Sequence, residues 1–406
     1  EQLPLLLYLC KWLFLSVVSG VCIGSASALL LVSLEWATQY REHHLWIIAL
    51  LPVAGLLIGL MYHYWAGTAS RGNNYLIEEI RSPHDIIPFR MAPLVYIGTV
   101  LTHLFGGSAG REGAALQVGG ALGNTFAKLF KFDEKDTRIM IMCGMSACFS
   151  ALFGTPIASA VFSMEVISVG VMYYAALVPC VLAAFIAQGI ASALGLESTH
   201  FVVDEITSFS FINGSKFIIM SVLFALASIL LCVVLHGTSK LYTDYINNPY
   251  IRIIIAGTLV IAMRYIFGTT DYLGAGSDII ARSFVTSCAW YVFLLKMLFT
   301  AVTLGGGFKG GEIVPTLFVG ATLGSFLAPI FGLPVGLCAA CGMVSVFCGV
   351  TNCPLTSFIL SIEMFGASTM KFTILCIALS YLLSGYYSLY NSQKIVYSKY
   401  KTEYIN

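Results

Sequence analysis

Gly106 to Gly123 reads GGSAGREGAALQVGGALG, a glycine-rich break between apolar runs that carries the carboxylate of Glu112. An ionisable side chain at membrane depth costs at least a few kcal/mol, so it faces a cavity or a partner and marks an ion or proton route. The pattern recurs at Gly305 to Gly324 as GGGFKGGEIVPTLFVGATLG. Aligning VGGALG (Val118–Gly123) with VGATLG (Val319–Gly324) sets Gly110 over Gly311 and Glu112 over Ile313. A second pair, TPIASAVFSMEV (Thr155–Val166) and CPLTSFILSIEM (Cys353–Met364), repeats in the same order. The chain is therefore a duplication.

Its solvent follows from composition. Hydrophobic residues make up 58% and charged residues 10%, with a mean hydropathy of +0.87, against roughly 25% charged in a soluble domain. The expectation is an all-α polytopic membrane protein with roughly 10 to 14 helices at about 20 apolar residues per span, several of them short or broken. Trp12 to Leu34 reads as a span rather than a leader, because its apolar core is too long and lacks a small-residue cleavage site. A net charge of +1 gives no argument for nucleic acid. The basic tail, Lys394 to Lys401, places the C-terminus in the cytoplasm by the positive-inside rule.

Polar His200 to Lys216 reads as an aqueous linker, and Gly237 to Tyr250 as a second polar separator. The expected organisation is a first half over residues 1–200, a linker over 201–216 and a second half over 217–406, with no soluble regulatory domain. The twelve cysteines are scattered singly apart from Cys338 and Cys341, so they read as packing residues, and neither a metal nor a cofactor is expected.

Transporter repeats are often inverted in the membrane, with the site at their interface near the midplane. A helix that starts there presents unpaired N–H groups and the positive end of its dipole. Two such starts facing one cavity make an anion site without a full positive charge. Glycine lets backbone approach the ion closely, and Pro315 suits the first turn of the second helix. Close helix packing is the bland alternative for the same glycines.

The ordered set GREG, TPIASAVFSMEV, GGEIVP and NCPLTSFILSIEM resembles the CLC family of anion channels and anion/proton antiporters over nearly the whole chain. The resemblance implies an inverted-repeat fold of short, tilted helices and a homodimer with one anion pathway per subunit. It also implies that Glu112 is the gating glutamate, whose carboxylate competes with the anion and exchanges protons. Arg111 beside it reads as structural. Where chloride-handling relatives carry a serine at the ion, this chain has Asn73; where they carry phenylalanine in GxFxP it has Ile313, and Ala114 replaces the proline of GREGP. These departures resemble the fluoride-exporting branch. They imply a fluoride/proton antiporter in the cell membrane, with fluoride, protons and lipid as its partners. A passive fluoride or chloride channel and a chloride/proton antiporter of the same fold remain the alternatives.

The expected anion site comprises Asn73, Gly110, Gly311, Ile313, Val314 and Tyr390, the last matching the family's inner tyrosine, with Tyr397 a weaker match. Fluoride needs close donors, and a carboxamide brings two N–H groups. Asn73 or Asn74 can equally cap the helix-like YLIEEI that follows. Glu312 is assigned to a structural or proton-linked place behind the site, with Lys309 a possible partner. Glu197 is a candidate inner proton acceptor or a solvated loop residue. Glu165 and Glu363 occupy equivalent places in the repeats and read as shared structural features, while Lys296 snorkels or pairs. The metalloprotease motif HExxH is absent from the sequence. A cation carrier fits the glutamate but not two converging positive helix ends.

Overall fold

Apolar runs with little charge form helices because a helix satisfies its own backbone hydrogen bonds, and in a bilayer no water does so. The computed structural model describes residues 2–82 and 87–405, and sixteen α-helices lie among them. The first eight are α1 (Gln2–His43), α2 (Leu51–Trp65), α3 (Gly72–Arg81), α4 (Met91–Leu104), α5 (Glu112–Leu129), α6 (Glu134–Phe153), α7 (Pro156–Glu165) and α8 (Leu177–Ala193). The second eight are α9 (Phe211–Tyr245), α10 (Pro249–Phe267), α11 (Ser277–Ser283), α12 (Val292–Gly305), α13 (Ile313–Phe331), α14 (Val335–Thr351), α15 (Pro354–Phe365) and α16 (Met370–Leu383). Seven helical segments are long and apolar enough to cross a membrane, and others, such as α7 and α15, are far shorter.

Two polar stretches differ from expectation. Residues 200–210 are irregular, but α9 opens at Phe211 with Ser210 capping Asn213 N, so the end of the expected linker is helical. Gly237 to Tyr245 continues α9, and only 246–248 separate it from α10, where Asn248 caps the next helix and Pro249 occupies its first turn. A polar helical end projecting past the apolar core keeps its backbone paired while its side chains meet water.

The chain after α16 returns as a strap. β2 (Lys394–Ile395) pairs in parallel with β1 (Ser168–Val169), Leu389 N donates to Val350 O at 2.9 Å, and Ser392 N donates to Asn74 Oδ1 at 3.1 Å. This tail defines one face. α1 starts there, with Tyr8 donating to Ala175 O just beyond β1, and α9 ends there, with His236 Nε2 3.3 Å from Leu389 O. The two long helices therefore run in opposite senses, as an inverted repeat requires.

Packing repeats across the halves. A Cβ on Gly119 would stand 2.1 Å from Gly144 O, and one on Gly320 would stand 2.3 Å from Gly342 O. α5 against α6 and α13 against α14 thus meet backbone to backbone, the small-residue packing that lipid surroundings favour. Gly119 and Gly123 of VGGALG and Gly320 and Gly324 of VGATLG serve this packing, while Gly120 faces Leu76 of α3. The glycines of the two breaks do something else.

Candidate functional site

Both breaks end in helix starts. Arg111 precedes α5 and Glu112 is its first residue; Glu312 precedes α13 and Ile313 is its first residue. The two approaches are laced together by Gly110 and Gly311, each donating its N–H to the other's carbonyl at 2.7 Å. Glycine is required: a Cβ on Gly110 would stand 2.5 Å from the Glu112 carboxylate and one on Gly311 2.6 Å from Gly113 N. The N–H groups of Gly110 and Gly311, expected to face an anion, are committed to this mutual bridge. Each N–H has one hydrogen to give.

What occupies the junction is Glu112 itself. Its side chain is fully buried, and Oε2 accepts from Arg111 N and from Val314 N, both at 3.1 Å. One carboxylate oxygen thus collects amides from the starts of both halves. Oε1 has no hydrogen-bond partner and lies 3.8 Å from Arg111 Nε. A negative charge in so dry a place is held by oriented N–H groups and the two dipole ends. Ile313 is buried beside it, and the donor in this half is its neighbour Val314.

A cavity opens on each side. On the tail face, a cavity of about 180 Å³ is lined by Asn73, Asn74, Gln117, Lys309, Glu312 and Tyr390, among others. On the opposite face, a cavity of about 720 Å³ is lined by residues including Arg41, Arg111, Asp271, Asp278 and Val314. Glu112 stands between them, since its neighbours Arg111 and Val314 reach the larger cavity while Asn73 comes from the smaller. Asn73 Nδ2 lies 3.1 Å from where a Cβ on Gly113 would be, and its Oδ1 is buried without a partner.

The helix α3 starts at Gly72, so Asn73 and Asn74 lie inside its first turn and neither is the N-cap; that residue, Arg71, makes no side-chain cap bond. Asn74 instead accepts from Ser392 N and ties α3 to the tail. Tyr390 is buried on the same tail segment and lines the smaller cavity, whereas Tyr397 packs on Gly170 and bridges to Tyr404, away from the cavity. Glu197 is exposed on the loop after α8, whose Thr199 and Phe201 line the larger cavity. It is therefore not brought to the tail-face side, where an inner proton acceptor was expected.

Two further expectations change. Lys309 forms no ion pair with Glu312; its Nζ sits over the Tyr62 ring, 4.2 Å from the centroid. Lys296 does not snorkel: it is fully buried and donates to Gly274 O at 2.7 Å and Tyr272 O at 3.2 Å. Arg41 likewise is buried at the end of α1 and donates to His103 O at 2.7 Å. In each case a backbone carbonyl or ring face was the nearer partner, which sequence spacing does not display. Gln117 and Tyr62 also line the smaller cavity; Gln117 was visible as an amide within apolar sequence, but nothing local marked Tyr62.

Glu165 and Glu363 do form a matched pair. Glu165 accepts from Leu355 N, Thr356 N and Thr356 Oγ1 at the start of α15, and Glu363 accepts from Ile157 N and Ala158 N at the start of α7. Each carboxylate caps the short helix of the other half.

A family model described as voltage gated chloride channel matches residues 54–385. A "Chloride/fluoride channel protein" of Pseudomonas syringae pv. tomato is 41% identical over 406 residues, covering 98% of this chain and 90% of that protein. The crystal structure of a CLC-type fluoride/proton antiporter superimposes with a TM-score of 0.92 at 33% identity, over 95% of this chain and 98% of that one. A slow cyanobacterial Cl−/H+ antiporter shares the fold, with a TM-score of 0.80 at 18% identity over 92% and 94%.

Proposed function

The chain belongs to the voltage gated chloride channel family, and we propose that it is a fluoride/proton antiporter that exports fluoride from the cytoplasm in exchange for protons. The observation that carries this reading is the Glu112 carboxylate, whose Oε2 accepts amides from both helix starts between two cavities. A carboxylate held there is a stand-in for the transported anion. Protonation removes its charge and with it the attraction of the Arg111 and Val314 amides, so the side chain leaves and an anion takes its place. Proton and anion occupancy are then linked, and the linkage is reciprocal.

Fluoride is small and tightly hydrated, so the site must replace its water with close donors. Asn73 stands beside Gly113, between the tail-face cavity and the junction, and supplies carboxamide N–H groups. Tyr390 closes the same side, and Glu312 lines it as a proton-linked or structural carboxylate. The tail face is the cytoplasmic one by its basic residues, the assembly is a homodimer with one pathway per subunit, and the membrane is the cell membrane. The similarity to a CLC-type fluoride/proton antiporter of known crystal structure supports this choice within the family.

The test is purified protein in liposomes loaded with fluoride or chloride, with anion efflux read by electrode and proton uptake by a pH probe, at zero and then at imposed voltage. Fluoride efflux with obligatory proton uptake and little chloride movement is expected. Rapid anion flow without protons would make the protein a channel, and equal chloride coupling would make it a chloride/proton antiporter. Asn73→Ser should shift preference toward chloride; unchanged selectivity would leave the carboxamide a structural group.

A further inference from the structure

We propose that Lys309 is a specificity-determining residue: its ammonium, held against Tyr62 without a carboxylate partner, draws the anion into the tail-face cavity and favours fluoride over chloride. This rests on the reading of the chain as a fluoride transporter.

The backbone shows that a lysine is not needed to build this turn. Lys309 N donates to Thr102 Oγ1 at 3.3 Å, and in the other break Ser108 N donates to Thr303 Oγ1 at 3.1 Å, the same bond reflected between halves. Ser108 closes off its own side chain, fully buried with Oγ 3.0 Å from Thr300 Oγ1. Lys309 sends its side chain toward a cavity instead. Its stem is guided there by Gly98 of α4: a Cβ on that glycine would stand 3.0 Å from Lys309 Cγ and 3.1 Å from Cβ. The end of the side chain is held by the Tyr62 ring, with Nζ 4.2 Å from the centroid.

A ring quadrupole positions a cation without cancelling its charge. No ion pair reaches Lys309 among the described residues, although Glu312 lines the same cavity; Arg71, the other cation there, is paired with Glu78. Lys309 thus supplies an unneutralised positive charge to a small polar cavity whose other donors include Asn73 and Gln117. Coulomb attraction rises as the separation falls, so the smaller anion gains more from a compact ammonium. A guanidinium spreads its charge over a plane and is more weakly hydrated, which lessens that advantage.

Anion efflux from proteoliposomes, measured against fluoride and chloride concentration, decides this for Lys309→Met and Lys309→Arg. Lys309→Met should raise the KM for fluoride about tenfold while kcat changes less than about twofold, the size expected of one lost charge at an intermediate dielectric. Lys309→Arg should recover much of that KM but lower the fluoride-over-chloride preference several-fold. An unchanged KM in Lys309→Met overturns the proposal, as does a native preference in Lys309→Arg. If Lys309→Met fails to fold, Tyr62→Leu takes its place, with a smaller rise in KM that Tyr62→Phe reverses; equal KM values in Tyr62→Leu and the native protein also overturn it. A native protein that moves no fluoride instead sinks the functional reading, and the two failures are therefore distinguishable.

Discussion

The two glycine-rich breaks share a backbone and differ in almost every functional side chain. Both pass through a glycine in the left-handed region, Gly106 at φ 91° and Gly307 at φ 111°, both bond a threonine of the other half, and both meet at Gly110 and Gly311. Yet Ser108 answers to Lys309, Arg111 to Glu312 and Glu112 to Ile313. Arg111 lines the cavity on one face, whereas Lys309 and Glu312 line the cavity on the other. Symmetric backbone makes a cradle that draws amides from both halves; asymmetric side chains give that cradle two unlike entrances and a single carboxylate.

The largest effect should come from removing the feature without a counterpart. Glu112→Gln keeps the size but not the charge, and proton uptake coupled to anion efflux should fall on the order of 100-fold, within the usual range for a lost proton-transfer group. Coupling that survives would mean the carboxylate is not the exchanging group. Moving the carboxylate across the repeat, Glu112→Ile with Ile313→Glu, should not restore coupling. The equivalent place beside Gly113 is faced by Asn73, so the backbone likeness does not extend to the space around it. Restored coupling would show that the halves are interchangeable after all.

Packing should respond equally in both halves. Gly144→Ala and Gly342→Ala each place a Cβ about 2 Å from a facing carbonyl, Gly119 O at 2.1 Å and Gly320 O at 2.2 Å. Overpacking of this kind costs about 1–3 kcal/mol, and thermal unfolding in detergent should report similar losses for the two. Markedly unequal losses would confine the likeness to the junction. Next come Glu165→Ala and Glu363→Ala, at about 2 kcal/mol each for lost charge-assisted bonds. The first should exceed the second, because Glu165 also accepts from Thr356 Oγ1 at 2.6 Å. The smallest effect belongs to Asn74→Ala, about 1 kcal/mol for one bond to the tail, read as faster proteolysis of the C-terminal segment.

Much of this is legible in the sequence. Repetition of GREG-like and PLTSF-like motifs revealed the duplication, and the membrane class followed from low charge and long apolar runs. The equivalence of Gly110 with Gly311 was read by alignment, and in space those residues bond each other. Helix ends were less legible: α9 runs to Tyr245 through sequence that looks like a loop, because a helix leaving the apolar core tolerates polar side chains. Partners were the least legible. Lys309 and Glu312 are three apart in sequence, yet the lysine turns to Tyr62 in a distant helix, and Glu197 lies on the face opposite the tail.

The sequence by itself determined that the protein is a duplicated membrane protein with helix starts inside the apolar region and a carboxylate at the head of each, Glu112 in one and Glu312 in the other. Hydrophobicity, glycine content and repetition are local properties of the chain and survive translation into symbols. Only the tertiary structure decided which amides hold Glu112, that the glycine amides hold each other, and which cavity each charged residue faces. Those outcomes depend on where the second half is placed against the first, and a hydrogen bond such as that from Val314 N to Glu112 at 3.1 Å exists only once that placement has been made.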